Sequence, residues 1–335
     1  MDSIVTIENS GLSAELQAFY DTELLQNAKP NMVFSQLAKV QPLPKGNGTS
    51  VQWRKWNNFA KAEKLTEGII PSGQMFGVST KTGAVNQYGT FTAISDHLEM
   101  AAYDDVILAA TEEMAVSAAE TQETLIRDVL LTNTNVLYCD NIDVKTGAYM
   151  NTPAAPVEMR YDDVGAATLT ADMVAKAVAK LKRDRVPTIN GRYVAVIHPS
   201  VAYDLRKSEG WLECNKYAAP ENLLTGEIGE LHGVRFIESV FAPVLTDGDY
   251  ANLDGDATYA TYFFGKDAFG IVDPEGGALQ MIVHDKSEIG GPLNQYSTIG
   301  YKLVTNGATI LYPERILRVM STSAFSQQDN PDLEG

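Results

Sequence analysis

The stretch from Leu98 to Asn133, LEMAAYDDVILAATEEMAVSAAETQETLIRDVLLTN, holds neither glycine nor proline and limits the fold more than any other part of the chain. Ala101, Ala102, Leu108, Ala109, Ala115, Val116, Ala119, Ile126, Val129 and Leu130 recur at helical spacing on one broad face, with acids and threonines opposite. Asp96 and Glu99 stand at capping-box spacing and predict where the helix starts. A helix over 98–133 is about 54 Å long, roughly three times the average globular helix. It outreaches a small domain, which predicts a strut along an elongated molecule. No sustained leucine or isoleucine heptad supports the competing coiled coil.

Upstream, QPLPKGNGTSVQWRKWNNFAK at 41–61 is broken by Pro42, Pro44, Gly46 and Gly48, then resumes as a strand rich in aromatic and β-branched residues. A second strand-like run, GAVNQYGTFTAIS at 83–95, follows a glycine-rich polar middle. Together they predict one long two-stranded excursion. An isolated ribbon of this kind is marginal in water, and this one would expose Trp53, Trp56 and Phe59. Either it folds back over its own domain or it lies on another subunit. Before it, Leu12, Leu16, Phe19, Tyr20 and Leu24 predict a short amphipathic helix in an N-terminal arm.

Residues 135–168 read as loop. Thr170 is a predicted N-cap for ADMVAKAVAKLKRDR, a helix burying Met173, Val174, Ala177, Val178 and Leu181. RYVAVIHP then predicts a buried strand, SVAYDLRKS a short helix, HGVRFIESVFAP another strand and TYFFGKDAFGIV a third. This alternation predicts a separate α/β-like domain with a central sheet. Asn306-Gly307 between YKLVT and ATILY is a hairpin signal, RILRVMS is one more strand, and the polar tail SAFSQQDNPDLEG is expected to fray.

Chemistry is harder to find. His198 ends a strand with Ser200 and Asp204 close by, as in many active sites, but Ser200 would open the following helix, so a strand stop and helix cap fit better. His97, His232 and His284 lack zinc-ligand spacing. The acidic 247–259 loop misses the calcium-loop register, and no phosphate cradle or nucleophile elbow is present. Cys139 and Cys214 form no CxxC pair and read as reduced thiols. The sequence therefore predicts no catalytic residue, no cofactor and no metal. With 43 acidic against 26 basic residues and a net charge of −17, a protein that grips nucleic acid through its phosphates is disfavoured. The opening residues lack signal-peptide features and no apolar run reaches the roughly 18 residues that span a bilayer, so folding in the cytoplasm without a membrane is expected.

The order of elements is more telling than any side chain. RYVAVIHPSVAYDLR, IGELHGVRFIESVFAP at 228–243, FFGKDAFGIV and PLNQYSTIGYKLVTNGATILYPERILRV resemble the coat-protein family named after the phage N-four major capsid protein. The whole chain resembles the α+β, Hong Kong 97-type fold of tailed-phage major capsid proteins, with Tyr301 where the family usually has tryptophan. The resemblance implies an N-terminal arm at 1–46, an extended loop at 47–95, and a peripheral domain at 96–150 and 289–325 with its spine helix at 98–133. It further implies an axial domain at 151–288 and a flexible tail at 326–335. The loop would lie over a neighbouring subunit through Trp53, Arg54, Trp56, Phe59, Phe76, Tyr88 and Phe91.

The implied function is a structural protein that assembles with itself as hexamers and pentamers around double-stranded DNA, which it encloses without specific binding. An arm of about 45 residues has no room for a fused scaffold, which predicts a separate scaffolding protein beside portal and decoration proteins. Lys61 and Lys64 are not expected to form covalent cross-links between subunits. Two rival classes share parts of this reading: an encapsulin-like shell holding cargo enzymes, and a soluble α/β enzyme with a pocket of perturbed titratable groups.

Overall fold

Thr170 turns an extended segment into a helix: its hydroxyl accepts from the Met173 amide at 3.4 Å, satisfying one of the free N–H groups of the first turn. The helix Ala171–Arg183 buries Met173, Val174, Ala177, Val178 and Leu181, as its spacing predicts, and closes on Lys180, Lys182 and Arg183 at the negative end of its dipole. Its apolar face joins a core with Ala195, Ile197, Phe236, Phe263, Leu317 and Val319.

The structure, a computed structural model, describes residues 32–324 apart from 47, 57–58, 60, 63, 65–72, 76, 102–105, 144, 147, 160–164, 209, 212–226, 247–256, 276–278, 285–294 and 306. The largest sheet runs, in spatial order, Glu227–Leu231, Val234–Glu238, Tyr193–Ile197, Thr258–Phe264, Ile316–Ser321 and Val136–Tyr138, with Val244–Leu245 beside Thr258–Phe264. Tyr193–Ile197 is buried at every position, as a strand covered on both faces must be. The second face of this sheet packs Val196, Tyr262, Phe264 and Ile316 against Phe34, Ile126 and Leu130.

A three-stranded sheet pairs Asn86–Ser95 with Tyr296–Thr305 over ten residues, and Tyr296–Thr305 with Gln280–His284. Ile94, Met281, Ile299, Tyr301 and Leu303 on one side of it meet Met114, Ala115, Ala118 and Ala119 of the helix Val106–Leu131. Small side chains on that helix let it approach the sheet closely. A further sheet joins Lys39–Leu43, Phe269–Pro274 and Thr309–Ile310.

Several expectations are corrected. The long helix is described over Asp96–Ala101 and Val106–Leu131, with 102–105 outside the described residues; its cap is Ser95 rather than Asp96, the Ser95 hydroxyl accepting from the Leu98 amide at 3.3 Å. Leu108 is exposed, whereas Glu123, assigned to the polar face, is fully buried. The ribbon pairs Ser50–Trp56 with Val78–Ala84, not with 83–95. Asn86–Ser95 has its own ten-residue partner elsewhere, and that longer ladder decides its sheet. TYFFGKDAFGIV forms two strands in different sheets, separated where Asp267 adopts a left-handed conformation with φ 54°.

YKLVT and ATILY do not pair with each other, since Thr309–Ile310 joins Phe269–Gly270. Gly307 serves a close approach there, because a Cβ on it would lie 2.1 Å from Val272 Cγ2. Residues 135–168 hold a small sheet of Tyr149–Asn151, Asn141–Asp143 and Gly165–Ala166.

Sheet membership also crosses the boundaries drawn at 150 and 289. Ile316–Ser321 lies inside the sheet assigned to the axial part, and Gln280–His284 lies in the sheet assigned to the peripheral part. Strand pairing joins segments distant in sequence, so linear boundaries cannot follow it. The amphipathic pattern at 11–27, Cys214, Phe76 and most of the acidic loop at 247–259 lie outside the described residues.

Candidate subunit-interaction surface

Strand alternation divides the ribbon into two faces. Val51, Trp53 and Lys55 point one way, while Gln52, Arg54 and Trp56 are exposed on the other. Trp53 is 8% exposed and packs with Leu43, Val272 and Leu311 of its own chain. Its ring is received by two glycines: a Cβ on Gly83 would lie 2.7 Å from Trp53 Cζ3, and one on Gly270 would lie 3.0 Å from Cζ2. The indole N–H meets no acceptor among the described residues. Trp53 is thus corrected from an exposed contact residue to an internal anchor.

Beside it, Lys55 Nζ donates to Glu314 Oε1 at 2.8 Å and lies 4.7 Å from the centre of the Tyr312 ring. Partial burial opposes the charged form of Glu314, but the Lys55 hydrogen bond, a backbone hydrogen bond and the charges of Lys55 and Arg315 together outweigh it and hold the carboxyl below its usual range. The Thr309 hydroxyl donates to the Thr82 carbonyl at 3.2 Å.

Past this anchor the character reverses. Trp56 is 50% exposed, Phe59 60% and Met75 97%. Arg54, Lys61 and Lys64 are exposed around them. A second uncovered surface is the outer side of the sheet holding Asn86–Ser95, where Phe91 is 74% exposed beside Ile282. Phe91, Ile282, Thr298, Gly300 and Lys302 line a shallow groove of about 420 Å³ there. Tyr88 is half-buried, its strand parity placing it with Ile94 toward the helix side. Of the seven residues singled out from sequence, Arg54, Trp56 and Phe59 share the ribbon, Phe91 stands on the separate sheet, and Phe76 lies outside the described residues.

Sequence reasoning missed the structural role of two carboxylates, Glu123 and Asp204, that hold the ends of the described chain. Glu123, in the middle of the long helix, accepts from the amides of Phe34 at 2.7 Å and Ser35 at 3.1 Å and from the Ser35 hydroxyl. Asp204 accepts from the Ala324 amide at 3.0 Å, and burial raises its carboxyl pKa despite that bond and the Ser323 hydroxyl. An acid at a helical position gives no sequence sign that it will fold inward against a distant backbone.

His198 is the N-cap of Pro199–Lys207, its Nδ1 accepting from the Ser200 amide at 3.3 Å, and its ring lies 5.2 Å from that of Tyr259. Cys139 is buried, which pushes its thiol far above the usual range. Among the described residues there is no cluster of three metal-ligating side chains, and no helix is long and apolar enough to cross a membrane.

A long helix thus backs a sheet, and a ribbon is fixed at its base and exposed beyond it. Solved structures share the overall fold. The chain is similar to the capsid of cyanophage P-SCSP1u (16% identity, TM-score 0.60, covering 96% of this chain and 93% of that one). It is similar to Mycobacterium phage Che8 (16%, 0.57, 95% and 95%) and to the capsid of Ralstonia phage GP4 (11%, 0.60, 99% and 99%). These likenesses define the class as the Hong Kong 97-like capsid fold. The family model described as phage capsid protein matches residues 78–315, and the chain belongs to that family: it is a major capsid protein, a component of the phage head. No curated protein matches the chain.

Proposed function

We propose that the protein assembles as hexamers and pentamers into the icosahedral head of a tailed phage, the ribbon of each copy lying over the next. The observation that carries this reading is the division of the ribbon at Trp53. Its base is fixed inside its own chain, while Trp56, Phe59 and Met75 beyond are exposed apolar surface of the kind that marks protein contacts. Arg54, Trp56, Phe59 and Phe91 are the proposed contact residues, with Tyr88 and, on sequence grounds, Phe76 beside them. The helix Val106–Leu131 and its sheet correspond to a peripheral part and the seven-stranded sheet to an axial part.

The role is structural rather than catalytic and uses no cofactor or metal. The head encloses double-stranded DNA without specific binding, and assembly takes place in the host cytoplasm with a separate scaffolding protein, a portal and decoration proteins. Each contact is modest and the lattice is stable through their number.

The test is the double variant Trp56→Ala with Phe59→Ala, measured by negative-stain microscopy and thermal melting. Loss of closed shells with an unchanged melting temperature is the expected result. Normal shells from this variant would remove the ribbon from the account.

A further inference from the structure

The cations of this acidic chain are not evenly spread. Lys176, Lys180, Lys182, Arg183 and Arg185 fall within ten residues at the end of one helix. Lys176, Ala179, Lys180 and Arg183, with Leu137 of the adjoining strand, line a groove of about 460 Å³. Lys176 is shared between Asp140 and Asp172. Lys180 is different: its ammonium reaches the Val136 carbonyl at 3.4 Å, and no carboxylate pairs with it among the described residues. Burial pulls its pKa below the usual lysine range, so a docked anion would be welcome there.

The occupant is argued from charge and spacing. Shell subunits that each carry −17 repel one another, and screening acts over only about 8 Å at physiological salt. Close contacts must therefore set local cations against local anions. The long helix supplies the anions, because Glu113 and Glu120 are exposed and their carboxylates have no hydrogen bond or ion pair among the described residues. They are seven residues apart, about 10.5 Å along a helix, and so are Lys176 and Arg183. Small side chains, Val116 in one row and Ala179 in the other, lie between the charges, as two helices need in order to approach. Duplex DNA fits the groove less well, since Asp140, Asp172 and Asp184 flank the cations and a continuous phosphate backbone would meet them.

We propose that the groove lined by Lys176, Lys180 and Arg183 receives the Glu113–Glu120 face of the long helix from a second copy of this chain, a contact that rests on the shell assembly proposed above. It is heterologous, donor face to acceptor face, as a ring or lattice of identical subunits requires.

The experiment compares the full-length chain with Lys180→Glu/Arg183→Glu, with Glu113→Lys/Glu120→Lys, and with all four changes together, reading self-association by sedimentation at low and high salt. Each pair alone weakens association by at least about tenfold, and the quadruple variant recovers it. Lys180→Gln/Arg183→Gln, with melting followed in parallel, separates lost charge from lost folding. Wild-type protein that associates equally well with and without the charge reversals, or a quadruple variant that fails to recover while its fold is intact, overturns the proposal. Wild-type protein that never associates counts against the shell-building reading itself, and duplex DNA that binds the groove in place of a second copy overturns the assignment of occupant.

Discussion

Trp53 shows how much one side chain decides. Its ring fills the space left by Gly83 and Gly270 against Leu43, Val272 and Leu311, so Trp53→Ala is expected to destabilise the chain by about 3–5 kcal/mol. Trp53→Phe should cost less, because the indole N–H it removes has no acceptor among the described residues; thermal melts of the two variants check the order. At Glu123 the expected outcome is graded differently. Glutamine keeps one acceptor oxygen, leaving one of the Phe34 and Ser35 amides unpaired at about 1–3 kcal/mol. Alanine loses both, and limited proteolysis near Met32 should accelerate in that order.

Asp204 gives a pH test. Burial raises its folded pKa above the unfolded value, so the folded state takes up the proton first and wild type gains relative stability as pH falls through that value. Asp204→Asn is therefore expected to be at least as stable as wild type near about pH 7, with the advantage fading by about pH 3.

At the level of elements, the helix Val106–Leu131 rests on its sheet through Ala115, Ala118 and Ala119, all nearly inaccessible. Ala118→Leu overfills that interface, with an expected loss of about 1–3 kcal/mol readable in a denaturant melt. The helix Ala171–Arg183 was legible to its cap and its five core residues because both signals are local: a hydroxyl three residues before an amide, and a 3.6-residue period. The ribbon was legible as a ribbon but not in its register. Pairing Ser50–Trp56 with Val78–Ala84 depends on what Asn86–Ser95 does with Tyr296–Thr305, some two hundred residues away. The burial of Trp53 was illegible for the same reason, since its pocket is built from four separate segments of chain, around Leu43, Gly83, Gly270–Val272 and Leu311. Trp56, three residues on, falls on the opposite face by strand parity and stays exposed, but parity alone does not say which of the two faces is covered.

Across the whole molecule, the acidic balance predicts that the protein leaves duplex DNA unshifted in a gel at physiological salt, despite the cation cluster at 176–185. A shift that disappears with added salt would contradict the view of the head as a non-binding container. Fold class was legible through a family resemblance, carried by the order of elements together with runs such as RYVAVIHPSVAYDLR and IGELHGVRFIESVFAP. Sheet membership was not, because the seven-stranded sheet takes Val136–Tyr138 and Ile316–Ser321 from either side of the segment that supplies its other strands.

The Trp53 anchor has a mechanical consequence. The residues proposed to touch a neighbour sit past a point where the strand is already fastened to its own subunit, so prying two copies apart loads the Trp53 pocket before it loads either hydrophobic core. A head built this way can yield under internal pressure by letting neighbours slip while every subunit keeps its native shape.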